Sequence, residues 1–254
     1  MKFRKVKIPL PPLSIQKEIV KILDKFTQLE AELEAELEAR KKQYEYYRTE
    51  LLTFPEGGVQ WSPMGEISDF INAKPHEKLV DPEGDIALMT SRFISTQGKS
   101  TRYVQAKDVL SPAYKDDVAL VMSDLPNGRA LGRAFYVDAD NKYAANQRVC
   151  LLRVRDKDKY NSKFLYYIVN RNKQLLRYDS GVDQTHLKKD WIINIKVPVP
   201  SLSEQNKIVS ILDKFETLVN DISVGLPAEL AACRSQYEYY RNKLLTFKEY
   251  VPAK

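Results

Sequence analysis

Two stretches of this chain are nearly identical: KQYEYYRTELLTF at Lys42–Phe54 and SQYEYYRNKLLTF at Ser235–Phe247. The match extends upstream, where IPLPPLSIQKEIVKILDKFTQL at Ile8–Leu29 lies over VPVPSLSEQNKIVSILDKFETL at Val197–Leu218. Ser14 stands 189 residues before Ser203, whereas Gln43 stands 193 before Gln236, so the second copy holds four extra residues between Leu218 and Gln236. Two copies are too few for a solenoid, and the duplication reads as an interaction element stated twice.

Each copy reads as a long helix. Prolines end the preceding segment, and Ser14 or Ser203 stands where an N-cap belongs; Ser201 with Glu204 offers a second cap for the later copy. Apolar side chains recur at Ile15, Ile19, Ile22, Phe26, Leu29 and Leu33, then, after one extra step of four, at Leu37, Tyr44, Tyr47 and Leu51. Steps of three and four define a coiled-coil seam, and the extra four is a stutter. The second seam runs through Ile208, Ile211, Phe215, Leu218, Ile222, Leu226, Leu230, Tyr237, Tyr240 and Leu244, with Gly225 and Pro227 predicting a kink or break. Neither helix has a core of its own, so the simplest arrangement buries the two seams against each other, antiparallel.

The passage between them has another grammar. DIALMTSRFI, STRYVQ, DVALVMS, GRAFYVD and VCLLRV read as strands between turn signals such as DPEG and LPNG, and SKFLYYIVNRNKQLL, Ser162–Leu176, reads as a helix. The fold expected is a mixed α/β globular domain flanked by two long α-helices that form an antiparallel coiled coil. The boundaries expected are 1–13 for a lead-in, 14–54 and 201–247 for the helices, 55–200 for the domain and 248–254 for a tail.

The 254 residues carry a net charge of +6, and 55–200 hold 22 Lys and Arg against 18 Asp and Glu. A basic excess of this size permits nucleic-acid binding without establishing it. Arg92, Lys99, Arg102, Asn127, Arg129, Arg133 and Gln147 lie in or beside expected loops, with Gln97 among them and His186 further on. Arg and amide side chains read base edges with paired hydrogen bonds, and Lys, Ser and Thr hold phosphates. Catalytic signatures are missing. GKS at Gly98–Ser100 has Phe93 where a phosphate loop needs its first glycine. The two histidines and two cysteines have no metal-ligand spacing, and no apolar run approaches the roughly 20 residues of a membrane helix. The chain reads as non-catalytic, metal-free and cytoplasmic.

In combination, PLPPL…Q…I, QYEYYR…LLTF, the closing HLKKDWIINIKVPVPSLSEQNKIVSILDKF and GLPAELAACRSQYEYYRNKLLTF resemble the specificity (S) subunit of type I restriction–modification systems over essentially the whole chain. The resemblance implies a subunit that reads one half of a bipartite site in double-stranded DNA. It implies that the helices space two reading heads and dock methyltransferase (M) subunits. Ile19, Ile22, Phe26, Leu29, Tyr44, Tyr47, Leu51, Ile208, Ile211, Phe215, Tyr237, Tyr240 and Leu244 are the expected helix–helix and docking residues. Cofactors are implied only elsewhere: S-adenosylmethionine in M, which methylates adenine N6, and ATP with magnesium in a separate restriction (R) subunit. A full S subunit carries two recognition domains. This chain reads as a half-length form, with 1–13 as the tail of a missing first domain, and a homodimer is one way to restore two heads. The alternative is a truncated or silent S polypeptide that occupies partners without reading DNA.

Overall fold

The structure, a computed structural model, describes residues 8–55, 57–124, 130–179, 181, 183–221 and 224–248. In chain order it holds α1 (Leu13–Leu52), β1 (Gln60–Pro63), α2 (Met64–Ile67), β2 (Ser68–Asn72), β3 (Ile86–Met89), α3 (Ser91–Ser95), β4 (Tyr103–Val104), β5 (Pro112–Ala113), β6 (Val118–Val121), β7 (Ser123–Asp124), β8 (Ala134–Tyr136), β9 (Tyr143–Ala145) and β10 (Val149–Val154). It continues through α4 (Ser162–Val169), α5 (Lys173–Leu176), β11 (Thr185–His186), α6 (Lys189–Ile193), β12 (Lys196–Val199), α7 (Leu202–Asn220) and α8 (Leu226–Leu244). The chain divides into two compact units, 1–50 with 211–254, and 51–210.

The first unit is a helix pair. At 40 residues, α1 extends about 60 Å. It starts one residue before Ser14, which therefore sits in the first turn and is not its cap. In the second copy the cap is Ser201, whose Oγ accepts from the Glu204 N–H at 3.2 Å; Ser203 lies inside the helix. The four extra residues of the second copy are spent on the corner between α7 and α8. There a Cβ on Gly225 would lie 2.5 Å from the Thr217 carbonyl, and Pro227 opens α8.

The pair is antiparallel. Phe26 meets Tyr237 and Tyr240, Glu30 and Glu34 hold Arg234, and Tyr44 and Tyr47 meet Phe215. The less exposed stripe of α1 runs through Ile19, Leu23, Phe26, Glu30, Leu33, Leu37, Arg40, Tyr44 and Arg48. It differs from the expected seam at Ile15, Ile22, Leu29 and Tyr47, all exposed, as are Ile211, Leu218 and Tyr240 of the expected second seam. Leu23 takes the place of Ile22, Glu30, facing Arg234 at 2.6 Å, that of Leu29, and Arg48 that of Tyr47, while Arg40 joins the stripe bonded to Glu36 and Gln43 within its own helix. The extra step of four falls at Arg40–Tyr44–Arg48, not at Leu33–Leu37. Ile222 lies outside the described residues.

The second unit is built on two four-stranded sheets, ordered β2-β10-β6-β8 and β4-β3-β9-β5, with the pairs β1-β12 and β7-β11 beside them. Among the described residues only β3 and β9 run parallel. IALM in β3 and VALV in β6 are buried along their whole length, as strands covered on both faces must be. Ala87, Met89 and Ala145 from one sheet join Ala119, Val121 and Leu151 from the other in one core, where Phe93, Phe135 and Tyr143 stand edge to face.

Two expected elements resolve differently. DIALMTSRFI is half strand and half helix: β3 stops at Met89 because Thr90 Oγ1 accepts from the Phe93 N–H and starts α3. The single helix expected over Ser162–Leu176 is two, because Arg171 takes the left-handed conformation at φ +60 and Asn172 caps α5.

Candidate nucleic-acid interface and helix docking surfaces

Four segments of the domain are stitched together at one place. The Met122 N–H donates to the Arg148 carbonyl, and the Leu187 N–H donates to the Met122 carbonyl. In the β7–β11 ladder His186 pairs with Ser123. Ser91, at the start of α3, donates its hydroxyl to the Ser123 carbonyl at 3.2 Å, and the Gln184 amide donates to Ser123 Oγ at 3.0 Å. The Asn146 N–H donates to the Met89 carbonyl. Exposed Arg92, Gln147, Arg148, Gln184 and His186 are thus carried on neighbouring backbone held by strand ends.

The expected contact residues fall around this junction unequally. Arg92 is exposed in the first turn of α3, and His186 is exposed on β11. Gln147 is exposed and, like Gln184, uses one amide N–H internally, donating to Glu77 at 2.9 Å. Arg133 is half-buried and follows Gly132, whose N–H donates to the Val121 carbonyl. Lys99 and Arg102 are exposed between α3 and β4, on the edge of the β4-β3-β9-β5 sheet. Asn127 and Arg129 lie outside the described residues. Ser91, Ser123, Gln184 and Arg148 were not among the expected contacts. Their only sequence signal was proximity to turns, and the strand pairing that gathers them is long-range. Arg92, Lys99 and Arg102 have no carboxylate partner among the described residues, whereas Arg153 is fixed on buried Asp117 by two bonds of 2.7 and 2.8 Å.

A buried histidine underpins the junction. His76 is fully buried; its Nδ1–H donates to the Lys74 carbonyl and its Nε2 accepts from the Leu110 N–H, both at 2.9 Å. The His76 N–H donates to Asn146, whose amide donates to Glu77. Partial burial alone would raise the Glu77 carboxyl, but hydrogen bonds from Asn146 and Gln147 hold it below its usual range. Burial, which disfavours the charged form, holds the His76 imidazole below the ordinary histidine value, and the Leu110 N–H aimed at Nε2 leaves no acceptor for a second ring proton. The folded value lies below the unfolded one. His76 therefore contributes stability above the unfolded value, and that stability is lost as pH falls through it toward the folded value. The thermal midpoint is expected to drop as pH is lowered past about 6.5. A His76→Gln variant, already less stable at neutral pH, should show a shallower drop over the same range in thermal melts; an equal drop would place the sensitive group elsewhere.

The helix pair carries the repeat into three dimensions. Phe26 lies 6.4 Å from Tyr237 and stacks on Tyr240 at 5.4 Å and 27°. Its counterpart Phe215 lies 6.5 Å from Tyr44 and stacks on Tyr47 at 5.4 Å and 28°. The same contacts occur twice, related by a local two-fold. Exposed apolar side chains follow the same symmetry: Ile22 with Ile211, Leu29 with Leu218, Tyr46 with Tyr239, and Tyr47 with Tyr240 differ by no more than 8% in exposure within each pair. The helix pair therefore presents two equivalent apolar and aromatic patches. Of the remaining expected helix residues, Ile19 and Ile208 are buried, and Leu51, Tyr237 and Leu244 are half-buried. Burial, with Glu216 next in effect, pushes the half-buried Tyr44 phenol well above its ordinary value, so it stays neutral. Among the described residues no cluster suits a metal ion, and no helix is long and apolar enough to cross a membrane.

The family model of the type I restriction modification DNA specificity domain matches residues 1–39 and 58–232. The chain belongs to this family. It is 35% identical to the specificity subunit of the type I restriction enzyme EcoR124I/EcoR124II of Escherichia coli, over 96% of this chain and 63% of that protein. It is 34% identical to a putative type I specificity subunit of Haemophilus influenzae, over 97% of this chain and 65% of that one. The chain thus spans a little under two thirds of these relatives. The solved S subunit of a type I system from M. genitalium shares the fold at a TM-score of 0.60 and 18% identity, covering 94% of this chain and 62% of that one.

Within this specificity-family chain the two prolyl lead-ins have different surroundings. In the second copy Gln205 is fully buried. It accepts from the Asn161 N–H at 2.7 Å and donates to the carbonyls of Lys159 and Pro200. Val197 and Val209 are buried as well. In the first copy Gln16 donates to the Pro11 carbonyl at 2.7 Å, the counterpart of the Gln205–Pro200 bond, but is exposed. Ile8 and Val20, the counterparts of Val197 and Val209, are 70% and 54% exposed.

Proposed function

We propose that this chain is a non-catalytic specificity subunit that reads one half of a bipartite site in double-stranded DNA. The observation that carries the reading is the junction of α3, β7, β11 and the Asn146–Arg148 turn. There exposed Arg and amide side chains stand on backbone fixed by strand pairing, as a reader of base edges requires. The two equivalent helix patches support docking of two methyltransferase subunits, one on each. S-adenosylmethionine belongs to those subunits, and ATP with magnesium to a restriction subunit. The exposed first lead-in supports a second recognition domain seated there as the chain's own domain is seated on Gln205. A second copy of the chain is one source of that head, and a symmetric pair would read an interrupted palindrome.

The test is DNA affinity of the complex assembled with a methyltransferase subunit. Arg92→Ala and Gln184→Ala are each expected to cost about 1–3 kcal/mol on the preferred half-site and to relax one base position. Unchanged affinity and unchanged sequence preference in both variants would place the reading surface on another face.

A further inference from the structure

Close in sequence to β11 of the proposed reading surface, the domain carries two stacked rings with a cation against each. Tyr178 and Trp191 are stacked face to face, 3.9 Å apart and 7° from parallel. The Arg177 guanidinium lies 4.8 Å from the centre of the Tyr178 ring and donates to its hydroxyl at 2.7 Å. The Lys188 ammonium lies 5.3 Å from the centre of the Trp191 ring. The two rings come from different segments, Tyr178 just after α5 and Trp191 in α6. Lys188 is two residues beyond His186, which pairs with Ser123 at the junction.

Two features separate this series from an ordinary charged surface. Arg177 and Lys188 are exposed and have no carboxylate partner among the described residues, while Arg155, Lys157 and Lys159 in the same domain are paired with Asp69, Asp116 and Asp156. Of the nearby acids, Asp179 accepts from the Gly181 N–H and Thr185, turned into its own loop. Flat half-buried rings also hold the cations in place at little entropic cost, since the ring faces attract them and leave their outward N–H groups for another acceptor. Neither ring is fully exposed, so the aromatic pair is a support for the cations more than a platform for an unstacked base.

We infer that Arg177 and Lys188, braced on the Tyr178–Trp191 stack, grip the phosphate backbone of duplex DNA next to the half-site. This rests on the DNA-reading role proposed above and adds to it a sequence-independent clamp. Phosphate contacts fix register and carry no base information, so their loss weakens every sequence alike.

The test measures affinity against salt concentration for the complex assembled with a methyltransferase subunit, on a duplex with the preferred half-site and on one of scrambled sequence. Each lost phosphate contact flattens the slope of log K against log salt by about 0.9. The double variant R177A/K188A is expected to flatten it by nearly two on both duplexes, with the ratio of their affinities unchanged. The charge-preserving R177K/K188R should keep most of the slope. R155A, which removes a cation paired with Asp69, should leave the slope as it is. An unchanged slope in R177A/K188A, when the wild-type complex binds DNA, overturns the clamp and leaves the reading role standing. Equal flattening in R155A overturns it in favour of net charge, and a changed affinity ratio makes these residues base readers. A wild-type complex with no DNA affinity removes the reading role and the clamp together.

Discussion

Lengthening the helix pair by four residues is expected to widen the gap between two half-sites by about two base pairs while leaving the half-sites themselves unchanged. The insertion belongs in the LEAELEAELEAR run of α1, between Phe26 and Tyr44, where four residues keep the buried stripe nearly in register. They add about 6 Å of helix, and duplex DNA rises about 3.4 Å per base pair. The two aromatic clusters constrain the design. Phe26 is tied to Tyr237 and Tyr240, and Phe215 to Tyr44 and Tyr47, so lengthening α1 alone pulls one cluster out of register or opens the corner before Gly225. A matched insertion of four residues in α8, between Leu230 and Tyr237, lets both clusters survive. The check is a map of methylated sites for the variant in an active two-headed complex. A changed half-site with an unchanged gap would show that these helices do not set the spacing.

Gly225→Ala is expected to destabilise the helix pair by more than about 3 kcal/mol, at the large end for single substitutions. The new Cβ would lie 2.5, 2.8 and 2.9 Å from the carbonyl oxygens of Thr217, Leu218 and Asp221. All three are backbone, and the Asp221 carbonyl also accepts from the Gly225 N–H. No side chain can swing aside, so relief requires the corner to open, and α8 then loses its alignment with Phe26. Gly181→Ala is the control: its Cβ would meet nothing within 4 Å, and only the left-handed backbone at φ +68 resists it, at a cost of about 1–2 kcal/mol. Thermal melts followed by helical circular dichroism compare the two. Equal losses would mean that the corner yields freely and that the four extra residues of the second copy are slack.

The helices were legible because their information is local and stated twice. A 3.6-residue period, a prolyl lead and an Ala/Glu/Leu run specify a helix from neighbours along the chain, and a repeat without a core of its own requires a partner. The antiparallel pairing followed from that economy. The seam did not follow in detail: hydrophobicity favoured Ile22 and Leu29, whereas Glu30 is drawn into the contact by Arg234, a residue about 200 positions away. The break at Gly225 was visible because glycine and proline act on their own backbone.

The domain was legible only as a class. Strand-like runs were recognisable by composition, but β3 ends where Thr90 caps a helix, and the long helix after Ser162 divides at Arg171. Residue types suited to DNA could be named, among them Arg92 and His186, yet nothing in the sequence said that Ser123 would bring them together. That required pairing between residues more than 60 positions apart. The likeness of the two lead-ins was likewise plain in the sequence. That Gln205 is buried on Asn161 while Gln16 is exposed was settled only by tertiary packing, because burial depends on what arrives from elsewhere in the chain. Local pattern determined the helices and their duplication; long-range strand pairing and burial decided which side chains share a surface.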